Sequence, residues 1–221
     1  MPDIAFNRNP SGGGGSGPDA RRRVTYLGHS TTLIELDGVC LLTDPVLRGR
    51  VLHLRRTAAA PPSPDHLDAV LISHGHHDHL DLRSLDRLPR DVQVVLPRGL
   101  GRLVRARGFD RVSEVEEGDE IAFGGVAVRV THAEHGGRSL PGRAAGAVGY
   151  AALGSARVFF AGDTDLFPGM DGLVEDLDLA LLPIWGWGPA IGAGHLDPER
   201  AAEAQGRTRG AASPTSAIRR R

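Results

Sequence analysis

The sequence has no lysine, and all 26 of its basic residues are arginine. That absence excludes Schiff-base chemistry, a lysine general base and a lysine-bearing phosphate loop. There is a single cysteine, Cys40, which excludes an intramolecular disulfide and a cysteine-rich zinc site. No apolar run reaches the roughly 18 residues of a membrane-crossing helix. Neither sign of charge is in excess: 27 acidic against 26 basic residues give a formal net charge of −1. Such a balance gives no basis for broad attraction to nucleic acid or membrane. The start, Met1-Pro2-Asp3 running soon into glycine, lacks the pattern of a secretory signal, so a cytoplasmic location is the default expectation.

What is present fits one domain with tails, since 221 residues suffice to bury a real core. Residues 1–23 read as a disordered tail. Their stretch Pro10-Ser11-Gly12-Gly13-Gly14-Gly15-Ser16-Gly17-Pro18 has no apolar surface to bury. Residues 24–205 read as the folded domain. Short β-prone runs are expected at Val24–Leu27, Thr31–Leu36, Val39–Thr43, Ala69–Ser73, Val92–Leu96, Val112–Val115, Glu120–Phe123, Val126–Thr131, Val148–Leu153, Arg157–Ala161 and Leu179–Leu182. Asp37-Gly38 predicts a tight hairpin turn. Helices are predicted at Leu80–Leu85, at Leu100–Arg107 with Gly108 as its stop, and after Asp197-Pro198, where Asp caps and Pro takes the first turn. Residues 206–221 hold five arginines, no acidic residue and one large aliphatic, Ile218; they read as an atypical disordered tail. Strands with interspersed helices predict an α+β arrangement of packed sheets with helices outside.

Histidine is plentiful: ten residues, four of them in His74-Gly75-His76-His77-Asp78-His79. This run follows directly on the apolar strand Ala69–Ser73, where a rigid scaffold presents reactive groups. In an extended stretch His74 and His76 point the same way, and Asp78 and His79 follow at the next turn. Crowded neutral imidazoles gain little from one another and protonated ones repel. A divalent cation resolves both problems, and N/O donors suit zinc, manganese or iron. His77 breaks the alternation and reads as the non-ligand. Further donors lie downstream: His132 and His135 past a strand, Asp163 after the apolar run Phe159-Phe160-Ala161-Gly162, and His195 in the glycine-rich loop Gly192-Ala193-Gly194. A carboxylate at a strand end, as at Asp163, is able to bridge two ions.

These motifs resemble the metallo-β-lactamase fold hydrolases. His74-Gly75-His76-His77-Asp78-His79 matches that superfamily's His-x-His-x-Asp-His signature at every defined position. Leu27-Gly28-His29-Ser30-Thr31, Leu42-Thr43-Asp44-Pro45, Ala161-Gly162-Asp163-Thr164 and His195-Leu196-Asp197-Pro198-Glu199 resemble one branch of it. That branch includes the L-ascorbate-6-phosphate lactonase and the N-acyl-phosphatidylethanolamine-hydrolysing phospholipase D. The resemblance covers residues 24–204. It implies a four-layer αββα sandwich with two metal ions at one edge, zinc by expectation and Mn2+ or Fe2+ as alternatives. Carried over, His74, His76 and His135 bind one ion, Asp78, His79 and His195 the other, and Asp163 bridges. The loop Ala133-Glu134-His135-Gly136 favours His135 over His132 as third ligand. Asp44 is a candidate for orienting a ligand histidine, beside the plain alternative of a turn former before Pro45. The resemblance also implies a strand beyond the His195 helix, which the composition of 206–221 does not supply.

The implied activity is hydrolysis by a metal-bridging hydroxide, with Asp78 and Asp163 as catalytic residues. The expected substrate is a small molecule: an ester, lactone or phosphodiester. His29 is a candidate proton donor with a structural role as its alternative. Trp185 and Trp187 are candidates for a pocket wall, and Arg138 and Arg143 for a phosphate or carboxylate contact. The competing readings are a metal-dependent nuclease, against which the balanced charge argues, and a metal-binding domain of little activity that lacks its last strand. No oligomeric state follows from the sequence.

Overall fold

The computed structural model describes residues 3–5, 22–51, 54–55, 61, 64, 66–136, 146–184, 194–208 and 211–214. In chain order these form β1 (Asp3–Ala5), β2 (Arg22–Gly28), β3 (Thr31–Leu36), β4 (Val39–Thr43), β5 (Arg50–Val51), β6 (Leu54–Arg55), β7 (Ala69–Leu71), α1 (Leu82–Leu85), β8 (Gln93–Pro97), α2 (Gly101–Arg105), β9 (Val112–Val115), β10 (Glu120–Phe123), β11 (Val126–His132), β12 (Val148–Leu153), β13 (Arg157–Phe160), β14 (Leu179–Leu182), α3 (Pro198–Thr208) and β15 (Ala211–Pro214). One sheet runs β1-β2-β3-β4-β7-β8-β9 and the other β10-β11-β12-β13-β14-β15, with β5 and β6 as a separate pair. No helix among the described residues is long and apolar enough to cross a membrane.

Patterning explains the packing. Inward residues of both sheets share one core: Ile34, Leu36, Leu41 and Leu71 from the first meet Val128, Val130, Tyr150, Phe160 and Leu181 from the second. The other face of the first sheet (Leu42, Val70, Ile72, Val94, Leu96) packs with Leu80 and Leu85 around α1 and with Leu100, Val104 and Phe109 around α2. The other face of the second (Ala151, Phe159, Ala180, Leu182) packs with Met170, Val174, Leu196, Ala201 and Ala204. β7 is buried on both faces, which is why its run is continuously apolar rather than alternating.

Turn chemistry sets the registers. Asp37 and Gly38 both take positive φ, +52° and +81°, the geometry of the two-residue hairpin that joins β3 to β4. α3 begins where Asp197 Oδ1 accepts the Arg200 N–H at 2.7 Å, the expected cap. α1 and α2 are shorter than the predicted Leu80–Leu85 and Leu100–Arg107.

Two predicted tails contain structure. Within 1–23, β1 pairs antiparallel with β2 through Asp3↔Thr25, Ile4↔Val24 and Ala5↔Arg23, and β2 opens at Arg22 rather than Val24. Within 206–221, α3 continues to Thr208 and β15 lies parallel to β14, Leu179↔Ala211 to Leu182↔Pro214. The reason is the same at both ends. Sheet pairing uses N–H and C=O groups that nearly every residue carries, so a composition poor in large apolar side chains does not forbid an edge strand.

The parallel strands β4 and β7 end side by side and deliver Asp44 and the 73–79 segment to one edge. The second sheet is tied to that edge where Val148 N–H donates to Ser73 O at 3.0 Å and the Tyr150 hydroxyl to Ile72 O at 2.7 Å.

Candidate metal centre

Asp44 stands at the foot of the site. It is fully buried, and its carboxylate takes three donors: Ser73 N–H at 2.7 Å, Ser73 Oγ–H at 2.6 Å and His79 Nδ1–H at 2.7 Å. These contacts determine tautomers. Because Ser73 spends its only proton on Asp44, its oxygen accepts from His74 Nδ1–H, 2.9 Å away. His135 Nδ1–H donates to the Gly194 carbonyl at 2.8 Å. The Nε2 atoms of His74 and His135 are therefore left with lone pairs.

Those lone pairs converge. His74 Nε2 lies 2.9 Å from His76 Nδ1, which lies 3.2 Å from His135 Nε2. One proton on His76 Nδ1 serves two acceptors poorly, whereas a cation takes all three donors. Burial, reinforced by His79, pushes His74 well below the usual histidine range. Burial and the His135 ring lower His76, and burial lowers His135. All three are neutral and ready to ligate near pH 7.

The other side is rich in carboxylate. Asp163 Oδ2 lies 3.2 Å from His79 Nε2, 3.5 Å from His195 Nε2 and 3.9 Å from His74 Nε2. Asp78 Oδ2 is 3.7 Å from His79 Nε2 and 3.1 Å from His29 Nε2. Burial opposes ionisation of Asp163, but His79 and His195 outweigh it and hold its carboxyl well below the usual range. Asp78 is lowered too, against burial, by His79 and His29. Burial likewise disfavours a charged His79, yet Asp163, Asp78 and Asp44 hold it well above the usual range.

The donor set fits divalent ions. His79 Nε2 is buried, faces two carboxylates and makes no hydrogen bond to either; such an atom is costly unless something binds it. The donor atoms of His74, His76 and His135 all lie within 4.8 Å of one another, as do those of His135, Asp163 and His195, and those of His29, Asp78 and His79. Each of the seven residues expected as ligands thus stands in at least one of these groups.

Two glycines let the loops close this tightly. Gly162 has φ +62°, and a Cβ there would meet Ser73 Cβ at 2.5 Å. Gly194 has φ +86°, and a Cβ there would meet Gly136 N at 2.8 Å. A side chain at either position would be strained and would push a ligand loop out.

His132 lies elsewhere. Its Nδ1 is 2.9 Å from Glu117, its Nε2 is 3.5 Å from Glu134, and its ring packs edge-on against Phe167. Burial opposes its charge, but the two glutamates outweigh it and raise its pKa. His77 joins none of the groups above. His29 sits against Asp78 with φ +57°, an uncommon conformation for a non-glycine residue. Ser73 and the Gly194 carbonyl were missed as partners, although each directly precedes an expected ligand. Arg138, Arg143, Trp185 and Trp187 lie outside the described residues.

A family model described as a beta-lactamase superfamily domain matches residues 40–213. The chain is 31% identical over 173 residues to a metal-dependent hydrolase of Anoxybacillus flavithermus, covering 73% of each chain. It is 30% identical over 210 residues to an N-acyl-phosphatidylethanolamine-hydrolyzing phospholipase D of Caenorhabditis elegans, covering 81% of this chain and 59% of that one. An uncharacterized protein of Mycobacterium tuberculosis is 33% identical over 205 residues, covering 85% of this chain; the chain spans only 55% of that relative's length. Among solved structures, the metallo hydrolase Igni18 of Ignicoccus hospitalis superposes with a TM-score of 0.64 at 25% identity, over 85% of this chain and 78% of that one.

Proposed function

The chain belongs to the metallo-β-lactamase fold superfamily, and from that membership we propose that it is a metal-dependent hydrolase of a small ester, lactone or phosphodiester, working with two divalent ions, zinc first among them. The observation that carries the reading is the convergence of three imidazole nitrogens beside a buried His79 Nε2 that makes no hydrogen bond and a shared carboxylate, Asp163. In this reading His74, His76 and His135 hold one ion, Asp78, His79 and His195 the other, and Asp163 both. The apolar cores on both faces of each sheet support an αββα layering, with the centre at the sandwich edge.

Divalent ions held by these residues would supply Lewis-acid activation of water and stabilisation of the charge that develops on a substrate oxygen. The protein's own groups prepare the site. Asp44 keeps a proton on His79 Nδ1 and, through Ser73, on His74 Nδ1, so both rings present Nε2 inward. Asp163 and Asp78 would supply the negative charge that balances the cations, and Asp163, held ionised by His79 and His195 against its burial, keeps its oxygens as acceptors.

The test is a substrate panel run on chelated and re-metallated protein. The expected result is turnover of at least one lactone, ester or phosphodiester that chelation abolishes and zinc or manganese restores. Turnover that persists in protein freed of metal would overturn the reading.

A further inference from the structure

Asp163 and His195 stand on loops far apart in the chain, and one pair of side chains ties those loops together. Asp165 lies two residues past Asp163, and Arg200 lies in the first turns of α3, five residues past His195. Arg200 Nη1 donates to Asp165 Oδ2 at 3.0 Å, and Nη2 faces Oδ1 at 2.5 Å. This two-pronged geometry fixes direction as well as distance.

Both partners are anchored. Asp165 N–H donates to Glu134 O at 2.8 Å, and Leu166 N–H to Asp165 Oδ1 at 2.7 Å. Glu134 N–H donates to Thr164 Oγ1 at 2.9 Å, and the Thr164 hydroxyl donates to Asp165 O at 2.9 Å. On the other side, Asp197 caps the Arg200 N–H. His135, Asp163 and His195 are thus the neighbours of one knot, Glu134–Asp165–Arg200.

The pair is partly shielded from water: the Arg200 side chain is 42% exposed and that of Asp165 14%. Packing leaves it a task. Within α3 the buried apolar side chains are Ala201 and Ala204, too small to specify how the helix is rotated.

We infer that Asp165 and Arg200 are positioning residues, whose ion pair sets where His195 stands relative to Asp163 and so tunes the affinity of the ion those two residues share. The inference rests on the two-ion reading above.

The test is zinc titration against a competing chelator, on the unmutated chain and on Asp165→Asn, Arg200→Met, their double variant and Arg200→Lys. Metal-free melting is recorded for each. Expected is a rise of about tenfold or more in one of the two dissociation constants, with the other nearly unchanged. The double variant should be no worse than either single one, Arg200→Lys should fall between, and metal-free melting should stay close to that of the unmutated chain. Unchanged affinities at both ions, or equal weakening of both whether or not metal-free melting falls, would overturn the inference. An unmutated chain that binds fewer than two ions would instead refute the two-ion reading, and that result is read before any variant is considered.

Discussion

One half of the candidate centre comes from a single run, residues 74–79, and the other is gathered from loops around 135, 163 and 195. The first half hangs on the end of a fully buried strand, with Asp44 beneath it. The second depends on ties between distant segments: Val148 to Ser73, His135 to Gly194, Asp165 to Glu134 and to Arg200. The two ion sides draw on both halves and differ electrically: burial lowers the pKa of His74, His76 and His135, whereas, against its burial, Asp163, Asp78 and Asp44 raise that of His79. The comparison teaches that a local motif supplies most of the ligand face, while tertiary contacts bring the shared carboxylate that completes it.

The largest effect should come from breaking the link between the two ion sides. Asp163→Ala removes the carboxylate both share. Hydrolysis should fall by about 10³-fold or more, with at least one ion lost by elemental analysis. Normal turnover in that variant would show that the two sides work separately.

Next in size is Asp44→Asn, which keeps the volume but spoils the acceptor for His79 Nδ1–H and the Ser73 hydroxyl. Metal affinity should fall about 10–100-fold, measured by chelator competition. Loss confined to the His135–Asp163–His195 side would contradict the tautomer argument.

A third prediction separates the two ion sides by pH. A lowered folded pKa means that His74, His76 and His135 hold fewer protons near neutral pH than free histidines do, so uptake of their ion should depend less on pH between 7.5 and 6 than uptake of the other. His79 has a raised pKa and must release its proton to ligate, so the second ion should weaken as pH falls. Calorimetry in buffers of different ionisation enthalpy should show about one proton released with the second ion and almost none with the first. Equal pH dependence for both would erase the electrical contrast.

The smallest effect tests how far the local run stands on its own. Arg48 grips Asp81, just past the run, at 2.7 and 2.9 Å. Arg48→Ala should cost about 1 kcal/mol, a fall in melting temperature of roughly 2–4 °C, and leave metal content intact.

The same contrast decides what the sequence discloses. Six strands, among them Thr31–Leu36 and Leu179–Leu182, match the sequence expectation residue for residue, because apolar runs bounded by turn residues carry a local signal. β1 and β15 leave no such signal, since strand pairing uses backbone groups that nearly every residue carries. The 74–79 run names its own chemistry. The downstream donors are readable only as single polar residues after strands, and their convergence on Asp163 is a property of the folded chain. Ser73 was hidden by being ordinary: a serine before a histidine becomes informative only when Asp44 is seen to take its proton. Arg200 looks like any solvated helix residue until the partner on the neighbouring loop is known.

The account stands or falls on the number of ions per chain. Purified protein, stripped and then titrated with zinc under chelator competition, should bind two equivalents with distinct affinities. One equivalent or none, with the chain shown to be folded, would contradict it.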